Sequence, residues 1–171
     1  MGRAVCERLG ACGAILVGQG AQDTATNIQA AGGRATGVQL DTASDQGVKE
    51  LVTDTTSEHG RLDYMFNNAG MLIAGEVRDM SDAQWERIFD VNFKGVLRGT
   101  LSAYKIMRQQ GFGHIVNTAS VGGLVSLTTI TAYCTTKHAV VGLSQQHCAR
   151  KTAGGESERG LSRSGGHFHF R

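Results

Sequence analysis

Short apolar runs alternate along this chain with longer stretches whose apolar residues recur every three or four positions. The first pattern predicts buried strands and the second predicts amphipathic helices. Residues 2–11 place Ala4, Val5 and Leu9 on one helical face with Cys6 beside them, and Gly13 stands as a stop. AILV at 14–17 predicts a strand, 22–31 a helix closed by Gly32 and Gly33, and ATGVQL at 35–40 a second strand followed by Asp41. Ser44 caps a helix running to about His59, with Val48, Leu51 and Val52 inward and Gly60 as terminator. LDYMF at 62–66 predicts a third, buried strand. Ser81 and Gln84 form a capping box for a long helix carrying Trp85, Ile88, Phe89, Val91, Phe93, Val96 and Leu97. HIVNTAS at 114–120 is the fourth strand and 131–149 the last helix. Four strands alternating with five helices predict an α/β fold, a doubly wound parallel sheet covered on both faces.

The stretch AYCTTKHAVVGL, 132–143, sets Tyr133 and Lys137 four residues apart at the start of the last helix, on one face and one turn apart. A phenol titrates near ~10, and a neighbouring ammonium favours the phenolate, which suits a proton donor and its tuner. Ser120, at the end of the strand-like HIVNTAS, carries a hydroxyl that could bind the same substrate oxygen. Taken alone, a Tyr and a Lys at this spacing read first as solvated neighbours on a helix. Two further features accompany them: Asn67-Asn68-Ala69-Gly70 after the third strand, and Asn92 inside FDVNFKGVL. An amide in the middle of an apolar helix competes with the backbone, so Asn92 asks for a specific reason to be there.

In order and spacing, Asn67 to Gly70, Asn92, Ser120, Tyr133 and Lys137 together resemble the short-chain dehydrogenases/reductases, and the resemblance runs from Gly2 to about Leu143. It implies an oxidoreductase that moves a hydride between NAD or NADP and a carbonyl or alcohol carbon. Tyr133 would exchange the proton on oxygen, Ser120 would bind that oxygen, Lys137 would tune Tyr133 and contact the nicotinamide ribose, and Asn92 would hold a local helix break and a linking water. Asn68, Ala69 and Gly70 would line the cofactor groove with Tyr133 and Lys137. Asp41 looks like the family residue at the adenine ring; a turn or capping Asp is the other reading. Cofactor choice is normally set near the end of the second family strand, at about Gly20. Gln19, Gly20 and Ala21 carry no charge there, so NAD and NADP both stay open, and Asp23 reads as a helix-start carboxylate.

The family's phosphate-binding turn, Thr-Gly-x-x-x-Gly-x-Gly, and the central strand before it have no full counterpart. Gly2-Arg3-Ala4 looks like the end of that turn, so the chain is expected to lack the first strand. Past Leu143 the resemblance stops, and the C-terminal strands and substrate loop are expected to be missing. Residues 145–171 are poor in aliphatic side chains, and the whole chain has no Pro. A one-nucleotide shift in permitted codons for LSRSGGHFHF allows a Pro-Gly segment of family type, so a frameshift after about Ser144 is expected. The domain division is therefore 1–144, a partial dinucleotide-binding domain, and 145–171, a divergent tail that is disordered or frameshifted. The alternative function is an inactive remnant that at most associates with related subunits.

Composition changes this picture little. The 171 residues suffice for one core, and a formal net charge of +2 gives nucleic acid nothing to hold. Cys6, Cys12, Cys134 and Cys148 show no C-x-x-C spacing and no leader precedes them, which with the lack of a membrane-length apolar run points to a cytoplasmic protein with reduced thiols. His167 and His169 have no ligand cluster around them, so no metal is expected. The expected partners are a small alcohol or carbonyl substrate and, through the helices bearing Trp85 and Tyr133, a second copy of the chain.

Overall fold

The computed structural model describes residues 2–19 and 22–153. Helix α1 (Gly2–Ala11) leads into strand β1 (Ile15–Gln19), helix α2 (Gln22–Ala30) and strand β2 (Arg34–Val38). Helix α3 (Asp45–His59), strand β3 (Tyr64–Asn67), helices α4 (Asp82–Phe89) and α5 (Gly95–Gln110), strand β4 (His114–Asn117) and helix α6 (Thr131–Ala153) follow. Strands β1 and β2 pair in parallel from Ile15 with Arg34 to Gln19 with Val38, and β3 and β4 pair in parallel from Tyr64 with His114 to Asn67 with Asn117. Among the described residues all strand pairing is parallel and each crossover between paired strands is helical, as the alternating pattern requires. Among the described residues the ladders form two two-stranded sheets rather than one continuous sheet.

Two apolar clusters hold these units. Ala25, Ile28 and Ala35, with Cys6 and Leu16 against them, join α1 and α2 to the β1–β2 pair. Val52, Leu62, Ala103, Met107 and Ile115, with Met65 and Ile106, join α3 and α5 to the β3–β4 pair. Helix α5 approaches β3 so closely that a Cβ on Gly99 would lie 2.7 Å from the Met65 methyl carbon and closer still to Asn67 Oδ1. Only a residue without a side chain fits there.

The expectation of a buried strand at 62–66 needs correction. Leu62 and Asn67 are buried, but Tyr64 is 52% and Phe66 39% exposed. Strand side chains alternate between faces. Met65 and Asn67 turn toward α5, while Tyr64 and Phe66 stack on each other at 6.0 Å, and Tyr64 stacks on His114 at 5.1 Å, across an open face. Strand ends also shift: β1 begins and ends later than 14–17, and β2 ends at Val38 rather than Leu40.

The caps form where the sequence places them. Ser44 Oγ accepts from Gly47 N–H, and Gly60, at φ 72°, returns its N–H to Thr56 O at the end of α3. Ser81 and Gln84 form the reciprocal capping box of α4. Ser81→Ala should lower stability by about 1 kcal/mol, seen as a lower urea midpoint at unchanged slope. The long helix predicted after Ser81 is interrupted at Asp90–Lys94 by a π-helical turn in which Gly95 N–H reaches back to Asp90 O. Counting α4 and α5 as that one interrupted helix recovers the expected five. Helix α6 runs on to Ala153, while the remainder of the 145–171 tail, with His167 and His169, lies outside the described residues. No described helix is long and apolar enough to cross a membrane, and no group of three or more potential metal ligands occurs among the described residues.

Candidate active site

Strand β4 delivers Asn117, Thr118 and Ser120 to the edge of α6. Lys137 lies on α6 one turn after Tyr133, only 3% exposed, and its Nζ donates to Thr118 O at 2.8 Å. The same Nζ is 5.7 Å from the centre of the Tyr133 ring. Ser120 begins a 3₁₀ turn, Val121–Gly123, and its Oγ accepts from Gly122 N–H at 3.2 Å. That turn is pressed onto α6. A Cβ on Gly123 would lie 2.6 Å from Lys137 O, and one on Gly122 would lie 3.4 Å from Tyr133 Cε1. The two glycines thus let the Ser120 turn rest against the helix that carries Tyr133 and Lys137.

The second half of the cluster comes from the loop after β3. Asn92, fully buried in the π turn, accepts from Met71 N–H and donates to Met71 O, both at 2.8 Å, and donates to Thr136 Oγ1 at 3.2 Å. A side-chain amide here mimics a backbone partner, so the π turn, the 68–71 loop and α6 are tied by one residue. Gly70 is the point of nearest approach: a Cβ there would lie 3.5 Å from Asn92 Oδ1 and 3.7 Å from Lys137 Nζ. Ala69 is half-buried beside it. Asn68 is exposed and accepts from Thr118 Oγ1 at 3.2 Å. The first residue of α1 sits against this asparagine, since a Cβ on Gly2 would meet Asn68 Nδ2 at 2.8 Å. A helix N-terminus, with its unpaired N–H groups and positive dipole end, therefore opens beside the loop.

A sequence model of the short chain dehydrogenase family matches residues 1–153. The chain belongs to that family. It is 36% identical over 150 residues to the short-chain reductase protein NovJ of Streptomyces niveus, covering 85% of this chain and 57% of that protein. It is 40% identical over 108 residues to levodione reductase of Leifsonia aquatica, covering 61% of this chain and 40% of that protein. Cyclohexanol dehydrogenase of Acinetobacter sp. (strain SE19) is 36% identical over 130 residues, 74% of this chain and 51% of that enzyme. A metagenomic short-chain oxidoreductase solved in complex with NADP superposes with a TM-score of 0.83 at 27% identity, over 88% of this chain and 71% of that one. The chain spans about half the length of the curated relatives it matches.

Of the residues singled out, Ser120, Tyr133, Lys137, Asn92, Asn68, Ala69 and Gly70 come together, and Asp41 stands apart. Its exposed carboxylate accepts from Ala43 N–H at 2.9 Å and pairs with Arg87 at 3.3 Å. The Ala43 N–H first, and Arg87 after it, hold this carboxyl below the ordinary aspartate range. Gly20 and Ala21, where cofactor choice is expected to be set, lie outside the described residues.

A buried chain of polar side chains went unread in the sequence. Asn67 Nδ2 donates to Asn117 Oδ1 at 2.8 Å and to Thr100 Oγ1 at 3.2 Å, Thr100 Oγ1 donates to Asn117 Oδ1 at 3.3 Å, and Asn117 Nδ2 donates to Ser144 Oγ at 3.0 Å. The available signal was four small polar residues on otherwise apolar faces, since buried polar groups need partners.

Burial lowers the Lys137 ammonium from its ordinary 10.5. Between the lowered value and 10.5 the unfolded chain binds the extra proton, so this residue makes stability rise with pH across that window. Below the lowered value the full cost of burying the charge persists. The urea midpoint of the wild type should therefore climb as pH approaches 10.5, and Lys137→Met, measured in parallel, should lack that part of the climb.

Proposed function

We propose that this chain carries the catalytic half of an oxidoreductase that transfers a hydride between NAD or NADP and the carbon of a small alcohol or carbonyl compound. The observation that carries this is Lys137: an ammonium buried beside the Tyr133 ring, anchored on Thr118 O, with the Ser120 turn packed against both. A buried cation that its surroundings disfavour, with a specific partner beside it, is a candidate functional group.

The residues present fit a nicotinamide cofactor. Gly70 leaves the space between Asn92 and Lys137 clear of side chain, so a flat ring and its ribose can lie close to backbone. An ammonium has three donors; one goes to Thr118 O, which leaves others for ribose hydroxyls. The N-terminus of α1 beside Asn68 offers N–H groups and a dipole of the sign a pyrophosphate needs. When bound, the nicotinamide supplies or accepts the hydride.

In this reading Tyr133 gives its proton to, or takes it from, the substrate oxygen. Lys137 sets its ammonium 5.7 Å from the centre of the Tyr133 ring, beside the reacting oxygen. Ser120 Oγ, oriented by the Gly122 N–H it accepts, donates its own hydrogen to the substrate oxygen and stabilises charge developing there. Asn92 holds the 68–71 loop and α6 at fixed separation, which keeps Gly70 and Lys137 on either side of the groove. The two expected readings of Asp41 both stay available, because a carboxylate engaged by a backbone N–H and an arginine keeps free lone pairs.

The surroundings proposed with this activity are cytoplasmic, with no nucleic acid or membrane partner. Leu101 and Tyr104, 55% and 40% exposed on α5, support association of two copies.

The test is calorimetric titration of NAD and of NADP into the folded protein, repeated with Lys137→Met, followed by a turnover assay with cyclohexanol, the substrate class in a relative's name. One dinucleotide should bind, more weakly to the variant. Folded wild-type chain that binds neither would overturn the proposal and favour the inactive remnant.

A further inference from the structure

We infer that Asn117 and Ser144 form a positioning pair: their hydrogen bond locks helix α6 against strand β4 and so sets where Lys137 and Tyr133 stand relative to Ser120. As a statement about catalysis this rests on the proposed roles of those three residues. As a statement about geometry it does not.

Among the described residues, two side-chain bonds join the end of β4 and the residue after it to α6. Thr118 O accepts from Lys137 Nζ at 2.8 Å, and Asn117 Nδ2 donates to Ser144 Oγ at 3.0 Å. On the strand side the anchors are adjacent residues. On the helix side they are separated by two turns, which places them on nearly the same face and about 10 Å apart along the axis. One bond alone lets a helix pivot about it; two at that separation fix both its rotation and its slide. Because only Ala119 separates Thr118 from Ser120, locking α6 to Asn117 and Thr118 also sets the gap between Ser120 and the Tyr133–Lys137 face.

The Asn117 anchor is itself held firmly. Its Oδ1 accepts from Asn67 of β3 and from Thr100 of α5, so the amide cannot turn without breaking buried bonds. Ser144 passes the constraint into the helix backbone by donating to Val140 O at 2.8 Å. Asn117, Ser144, Thr100 and Asn67 are all buried, and within such a network an unmatched donor has no water to turn to. The hydroxyl of Ser144 joins α6 to this network, whereas Thr100 acts on its far side.

The test uses the folded chain without cofactor, labelled with ¹³C-lysine, with the Lys137 signal assigned by its absence in Lys137→Met. Ser144→Ala should move the Lys137 titration upward toward the ordinary lysine range, because a loosened α6 admits water to the ammonium. Ser144→Thr, which keeps the hydroxyl, should restore the wild-type titration. Thr100→Val removes a bond from the same network without touching α6 and should leave the titration in place even where it lowers the melting temperature. Should Ser144→Ala not fold, Ser144→Cys, with its weaker hydrogen-bonding group, takes its place with the same expected direction. Where turnover is measurable, kcat should fall on the order of 10- to 100-fold in Ser144→Ala with KM little changed, the penalty of a small misplacement. The inference is overturned if Lys137 titrates in the Ser144 variant as in the wild type, or if Thr100→Val moves it as far. A chain that binds no dinucleotide would end the proposed function while leaving this measurement valid.

Discussion

Tyr133→Phe is expected to lower turnover by roughly 10²- to 10⁴-fold, the range associated with removing a general acid or base. The substitution deletes one oxygen. The ring is half-buried, and its packing against the Gly122 turn involves carbon rather than the hydroxyl. Its neighbour Lys137 keeps its bond to Thr118 O whether or not the phenol oxygen is present. Melting temperature and the urea midpoint should therefore stay close to wild type while kcat collapses, and dinucleotide affinity should change little. Normal turnover in the variant would remove Tyr133 from the chemistry. A loss of turnover matched by a loss of fold would show the residue to be structural.

The contrast between Tyr133 and Asp41 shows how far residue pattern reaches. Tyr133 and Lys137 sit on one helix, so spacing alone fixes that they share a face, and the structure has them so. Caps are equally local: Ser44, Gly60, Ser81 and Gln84 act within one turn of themselves, and each was legible. Asp41 carried two readings because a carboxylate after a strand serves a turn and a ligand with the same atoms. Its bonds to Ala43 and Arg87 show the turn chemistry directly. What the pattern could not supply depends on distant neighbours. Whether Tyr64 and Phe66 are covered is decided by what packs over β3, not by the apolar run itself. The division into two sheets follows from which strand edges meet. Asn117 looked like an ordinary strand residue until Asn67, Thr100 and Ser144, drawn from three other elements, closed around it. The resemblance anticipated a helix break at Asn92; that it is a π turn, held through both backbone groups of Met71, required the structure.

That π turn yields the second large effect. Asn92→Leu keeps the branched outline of the side chain, though with larger methyl groups, and removes a donor and an acceptor from a fully buried position. Met71 N–H and Met71 O lose their partner together, and Thr136 Oγ1 loses one of its two, Tyr133 O remaining. Each buried group left unpaired costs ~1–3 kcal/mol, so a destabilisation of about 3 kcal/mol is expected. The consequence is also local. Without the amide the 68–71 loop is no longer tied to α6, and the Met71 N–H should exchange with solvent faster than the amides of β4, which the substitution does not touch. A π turn inserts a residue into the helical ladder and is rare, and here the Asn92 bonds hold it. Loss of the Asn92 bonds should therefore also let residues 90–94 relax toward a regular α-helix, visible as altered chemical shifts from Asp90 to Gly95. A destabilisation under about 1 kcal/mol, with Met71 N–H still protected, would mean that the loop is held by its own packing and that Asn92 merely occupies the turn.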